Sequence, residues 1–380
     1  MTASSHTSPA SAPAPGTEHS PGPASAHWAA LDGLRGLAVL AVVGYHFGVP
    51  GLSGGFLGVD VFFGVSGCVV TVSWRRMRRE GPAARRFYHR RAVRLLPNLF
   101  AYLAVAVAWN TWHDRSLLTE ANALLLAAAA QVVNIATSFA DPSITTSTHL
   151  WSLSIEWQFY LLLPLLLMPL WRRPGDTRSR LGLVLGVALA SMLLRPALGA
   201  ADVVPWQIYH WTITRLDGLA LGVAAGLLLE RPSRAARRWS ASVALLAIAV
   251  AIVATPDWWR DPRLSLYVSI TAVGMASYVL VRGITTGRAA VPLVGVLASR
   301  PLRWIGERSY SIYLWHFFIG VVVIADGSED WQGLPVFAAQ MAASLAVAVA
   351  AYEFVEKPCR ARYTLQAKVT SGDASPITAG

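Results

Sequence analysis

The chain has 380 residues, 54% of them hydrophobic and only 14% charged, with 15 Trp and a formal net charge of +11. Soluble domains run near 45–50% apolar and about 25% charged, so a mean hydropathy of +0.45 excludes a single water-facing core and implies apolar surface in contact with lipid. The positive charge is clustered between apolar runs, which is an orientation signal of membrane proteins and not a nucleic-acid-binding face.

Residues 1–27 are rich in Ala, Ser, Pro and Thr and have no Lys or Arg. They lack the parts of a signal peptide and are expected to form a disordered cytoplasmic tail. From Trp28 onward the sequence shows eleven apolar stretches, at about 34–49, 56–74, 95–112, 117–136, 150–170, 181–199, 209–229, 240–255, 264–281, 304–324 and 333–355. Most approach the roughly 20 residues of a spanning helix. The loop 75–94 is dense in arginine, and smaller basic groups lie around 172–180, 231–238, 282–303 and 357–368. All five lie on one face if even numbers of spans separate them, and only the interval 94–172 breaks that rule. The stretch 117–136 in that interval is Ala-rich and contains Gln131 and Asn134, so it is expected to be interfacial, re-entrant or packed inside the bundle. The expectation is an all-α, polytopic helical bundle of about ten spans in the cell membrane. It occupies residues 28–363, both termini are cytoplasmic, and 364–380 is a second flexible tail.

Ionisable groups inside spanning helices are functional candidates by default. Arg35 and His46 are eleven residues apart, which is about 20° past three helical turns, so both fall on one face roughly 16.5 Å apart. Gly54, Gly55 and Gly58 allow a close hairpin that returns Asp60 toward the His46 end. Glu156 follows His149 by seven residues and is expected at the same depth. A histidine beside two carboxylates suits general-base chemistry, and the cations Arg35, Arg91 and Arg94 suit a phosphate-bearing co-substrate. Two readings stand for His316, in the aromatic run Tyr310 to His316, and for the pair Arg215 and Asp217: function, or hydrogen bonding within the bundle. Cys68 has no neighbour that would generate a thiolate, and no His or Cys pair has metal-ligand spacing.

These residues carry a resemblance. Leu31-Asp-Gly-Leu-Arg35 with His46, Gly55 to Gly67 including Asp60 and Ser66, Phe87 to Pro97 including Arg91 and Arg94, His149 to Tyr160 including Glu156, Arg215-Leu-Asp217, Gly306 to His316 including Tyr310, and Glu353 to Pro358 resemble, in order, blocks of the membrane acyltransferase-3 family. The resemblance implies transfer of an acyl group from acyl-CoA, as acetyl-CoA or another short acyl-CoA, to a hydroxyl of a sugar or natural product. It implies His46 as general base oriented by Glu156 and Asp60, and Arg35, Arg91, Arg94, Ser66, His316 and Tyr310 as co-substrate contacts. It also implies a stand-alone transferase with no metal. The rival class is a proton-coupled transporter of a glycan or lipid-linked sugar, for which matched inverted halves are expected and none is visible.

Overall fold

A computed structural model describes residues 23–362 except 80–82, 115, 117–118, 140–145, 172–176, 230–238, 258–259 and 327. The expected tails lie almost wholly outside the described residues, as does the basic group 231–238. Among the described residues the regular elements are all helical. In chain order they are α1 (Pro23–His46), α2 (Gly58–Arg79), α3 (Ala83–Asp114), α4 (Glu120–Ala129), α5 (Val133–Phe139), α6 (Trp151–Trp171), α7 (Thr177–Ala200) and α8 (Pro205–His210). There follow α9 (Leu216–Leu227), α10 (Ser240–Ala254), α11 (Ile270–Thr285), α12 (Val291–Leu297), α13 (Arg300–Glu307), α14 (Ser309–His316) and α15 (Leu334–Ala351). Three π-helical turns, Leu264–Ser269, Phe317–Ile324 and Tyr352–Glu356, extend α11, α14 and α15.

Six helices among the described residues are long and apolar enough to cross a membrane, within Ala26–His46, Gly55–Arg78, Ala84–Asp114, Thr177–Ala200, Leu264–Thr285 and Leu334–Arg362. The outer face of the bundle is apolar. On α10 only Ala241, Ala244 and Ile248 are buried, whereas Leu246 and Val250 are 63% and 55% exposed. Such a face is stable only against lipid. The chain is a multi-pass membrane protein.

The stretch 117–136 does not form one helix. Gln131 takes a positive φ of 59° and separates α4 from α5; ten residues of α4 rise only about 15 Å, half a hydrocarbon core. The two polar residues that marked this stretch hold it inside the protein. Asn134 Nδ2 donates to His210 O and Thr212 Oγ1, both at 3.0 Å, and Gln158 Nε2 donates to Gln131 O and Asn134 Oδ1 at 2.8 and 2.9 Å. Other expected boundaries move. The stretch 304–324 breaks at Arg308 into α13 and α14, and 209–229 breaks between α8 and α9. The arginine-rich 75–94 segment is largely helical: α2 runs to Arg79, and α3 begins at Ala83, directly after Gly81-Pro82 in the sequence.

Close approach centres on α2. A Cβ on Gly55 or Gly58 would lie 2.2 or 2.5 Å from the carbonyl oxygen of Ala41 or Ala38, so the α1–α2 hairpin expected from these glycines forms. The same device joins α2 to α9: a Cβ on Gly67 would sit 2.1 Å from Leu219 O, and one on Gly222 would sit 2.2 Å from Gly64 O. Small residues at such crossings let helix backbones touch in lipid.

Candidate active site

Two neighbouring cavities among the described residues are both lined by Val59 of α2 and Tyr313 of α14. The larger, about 160 Å³, is lined by Arg35, Arg91, Arg94, Ser66, Glu156 and Tyr310 among others. Arg35 comes from α1 and Arg91 and Arg94 from the first turns of α3, so three guanidinium groups converge on one space. The Arg91 guanidinium lies 5.2 Å from the Tyr160 ring and 5.8 Å from the Phe87 ring, which fixes it without neutralising it. Arg35 has Asp32 at 4.0 Å, beyond hydrogen-bond range. Glu156 accepts hydrogen bonds from Ser66 Oγ and Tyr160 Oη. Tyr310 Oη donates to Leu95 O at 2.6 Å and ties α14 to α3.

The smaller cavity, about 60 Å³, is lined by His46, His149, Trp151, Trp206, Tyr209 and Glu329 among others. Arg35 and His46 therefore keep the common face expected from their spacing, and each opens into a different cavity. The Trp206 wall is fastened to α5, with Nε1 donating to Thr137 O at 2.7 Å, so the short helix that follows the break at Gln131 positions part of this site. His149 Nε2 donates to Leu314 O at 3.0 Å, and its buried Nδ1 has no hydrogen-bond partner. The septum residue Tyr313 bonds through Oη to Ser152 Oγ at 2.7 Å and His149 O at 2.8 Å.

The structure departs from the sequence expectation at three residues. Glu156 does not join His46 but lines the arginine cavity, because it sits one and a half turns further along α6 than the residues that reach the histidine. Asp60 lines neither cavity; it is 1% exposed and paired with Arg215, with Nη2 3.1 Å from Oδ1. His316 lines neither cavity and makes no part of the arginine site; it is fully buried, with Nε2 3.0 Å from His46 Nδ1. The expected Arg215–Asp217 pair is also re-partnered. Asp217 meets Arg195 of α7, Nη2 to Oδ2 at 2.8 Å, and Arg195 Nη1 donates to Thr214 O at 2.6 Å.

Three residues escaped the sequence reading. Arg195 was hidden near the end of an apolar run, where a basic residue reads as a flank. Glu329 sits in the 325–333 loop, outside every span, yet its Oε1 is 3.9 Å from His46 Nε2 and its side chain is only 18% exposed. Burial, with Asp257 and Asp330 nearby, pushes its carboxyl up to about 7. Glu356 carried a signal, as part of the Glu353 to Pro358 block, but no role; it accepts from Ser311 Oγ at 2.9 Å and so helps hold α14, which carries Tyr313 and His316.

Comparison with known proteins agrees with this architecture. The family model described as an acyltransferase domain, acyltransferase-3, matches residues 28–353. The chain is 30% identical over 358 residues to the peptidoglycan O-acetyltransferase OatA of Listeria monocytogenes, covering 87% of this chain and 55% of that protein. It is 31% identical over 359 residues to the putative peptidoglycan O-acetyltransferase YrhL of Bacillus subtilis, covering 87% and 54%. A putative O-acetyltransferase of Staphylococcus aureus is 30% identical over 353 residues, covering 87% and 57%. The chain thus spans about half the length of the curated relatives it matches. No solved structure matches it. With a multi-pass helical bundle around two polar cavities and a family match over most of its length, the chain belongs to the acyltransferase-3 family of membrane acyltransferases.

Proposed function

We propose that the protein moves an acyl group from acyl-CoA, held in the arginine cavity, to a hydroxyl of a glycan or related polyhydroxyl acceptor held in the aromatic cavity, with His46 as general base. One observation carries this reading: two cavities of different chemistry, one with three guanidinium groups and one with the imidazoles of His46, His149 and His210, share Val59 and Tyr313 as a common wall. Guanidinium groups recognise phosphate by paired, charge-assisted hydrogen bonds, so Arg35, Arg91 and Arg94 fit the donor's phosphates. Trp151, Trp206 and Tyr209 offer the flat apolar faces that stack on a sugar ring. The relatives named as peptidoglycan O-acetyltransferases favour acetyl as the acyl group and a glycan as the acceptor.

The topology proposed with it has ten spans. The shorter apolar helices Leu216–Leu227, Ser240–Ala254 and Ser309–Ile324, together with α6, join the six long ones, and the arginine cavity opens to the cytoplasm. Glu156, with Ser66 and Tyr160, serves the donor side; Asp60, paired to Arg215, braces the acceptor wall.

The test is thiol release from acetyl-CoA by protein in detergent or nanodiscs, with and without soluble peptidoglycan fragments, comparing wild type with His46→Ala. Fragment-dependent release that the variant lacks, with an acetylated fragment in the mass spectrum, supports the reading. Absence of acetyl-CoA binding sinks it and brings the transporter class forward.

A further inference from the structure

His46 is held from behind by a second imidazole, and the far side of the pair sets the direction of that bond. His316 Nδ1 lies 2.7 Å from Tyr313 O and 3.1 Å from Ile312 O. A carbonyl oxygen only accepts, so the His316 proton is on Nδ1 and its Nε2 presents a lone pair. That Nε2 is 3.0 Å from His46 Nδ1. His46 must therefore donate from Nδ1, which leaves its own lone pair on Nε2. The helix shifts to π register at Phe317, directly after His316, a local change often found where a helix serves a site.

His46 Nε2 is the atom nearest Glu329, 3.9 Å from Oε1. That separation is too long for a hydrogen bond between them and leaves room for one hydroxyl oxygen to touch both. We propose, on the acyl-transfer reading above, that His316 is a positioning residue that fixes the His46 tautomer, and that Glu329 is the carboxylate facing the imidazolium formed during transfer. The acceptor O–H gives its proton to His46 Nε2 while its oxygen bonds to the thioester carbonyl carbon. The C–S bond then breaks, the sulfur leaves with the bonding pair, and the thiolate recovers the proton from the imidazolium. Ester and thiol are the products, and the enzyme returns to its starting state.

The charge on Glu329 gives the arrangement a pH signature. Its surroundings are the carboxylates Asp257 and Asp330, the phenols Tyr45 and Tyr209, and the His46 imidazole. An ionised Glu329 supports the imidazolium and a protonated one does not, so the transfer rate rises with pH through about 7.

The experiment measures acetyl-CoA turnover with soluble peptidoglycan fragments, against pH, in full-length wild type, Glu329→Gln, Glu329→Asp, His316→Gln, His316→Leu and His46→Ala. Carbethoxylation of His46 by diethylpyrocarbonate, read by peptide mass spectrometry, reports Nε2 reactivity without any acceptor. Glu329→Gln is expected to lose about 10²-fold in kcat with donor KM unchanged, and to lose the limb near pH 7; Glu329→Asp recovers part of both. His316→Gln keeps an acceptor for His46 Nδ1 and retains activity, whereas His316→Leu loses it and alters the labelling rate of His46. Should His316→Leu fail to fold, the two Glu329 variants decide. Wild-type kcat, pH profile and labelling in Glu329→Gln, with His46→Ala inactive, overturns this inference alone. Full transfer by His46→Ala overturns the acyl-transfer mechanism on which it rests.

Discussion

Arg215 and Asp60 meet at 3.1 Å with side chains 0% and 2% exposed, and the Arg215 guanidinium lies 5.3 Å from the Trp151 ring and 4.9 Å from the Tyr209 ring. Those rings line the histidine cavity, so a buried ion pair from α2 and the start of α9 braces the wall of the candidate acceptor site. Asp60→Asn or Arg215→Met leaves one charge uncompensated, and each is expected to cost about 3–5 kcal/mol. The double variant Asp60→Leu/Arg215→Met removes both charges and should melt closer to wild type than either single one. Thermal unfolding in detergent checks this; strictly additive losses would show that the two do not act as a pair.

Removing donor-side charge should separate binding from chemistry. Arg91→Ala and Arg94→Ala are each expected to raise KM for acetyl-CoA about tenfold while kcat changes less, because a phosphate contact far from the thioester acts equally on ground and transition states. The wild-type KM should also rise with ionic strength, and less steeply in the variants. Steady-state kinetics at two salt concentrations reads both effects. An unchanged KM in both variants would remove these arginines from the donor site.

The α2–α9 crossing leaves no room for a side chain. Gly222→Ala places its Cβ 2.2 Å from Gly64 O, a backbone atom that cannot rotate away. The expected loss is about 1–3 kcal/mol, with a lower melting temperature, since α9 follows the Arg215 anchor directly. Gly182→Ala, on α7 and with nothing within 4 Å of the added carbon, is the control and should melt like wild type.

Glu329 also predicts how stability depends on pH. Its pKa in the folded protein is raised from 4.5 to about 7, so the folded state binds a proton that the unfolded chain has already released. Stability is then fully present below pH 4.5 and declines as pH rises through about 7. Glu329→Gln removes that decline: its melting temperature should exceed that of wild type at pH 8 and approach it near pH 5. Equal melting curves at pH 8 would contradict a buried carboxyl at this position.

Much of the architecture was legible in the residues themselves. Hydrophobic runs of near-spanning length persist as helices because lipid offers backbone groups no partners, so helical hydrogen bonding is obligatory within the bilayer. Gln131 and Asn134 correctly marked 117–136 as unlike the other runs, since two amides facing lipid would be costly without the partners that Gln158, His210 and Thr212 supply. The Arg35–His46 relation was equally local: one continuous helix fixes the angle and rise between any two of its residues.

What joins different helices was not legible in that way. Arg215 pairs with Asp60 and not with Asp217 two residues away, and Glu156 faces the arginines and not His46. Both outcomes depend on the rotation and depth of helices packed against one another, which a single sequence does not encode locally. Glu329 belongs to the same class, because a polar loop residue reads as solvent-facing until the fold lowers its loop over a cavity. By itself the sequence determined the all-helical class, the family and the two ends of the α1 polar face. Only the tertiary structure decided that those ends open into separate cavities meeting at Val59 and Tyr313, because that wall is assembled from α2 and α14, about 250 residues apart in the chain.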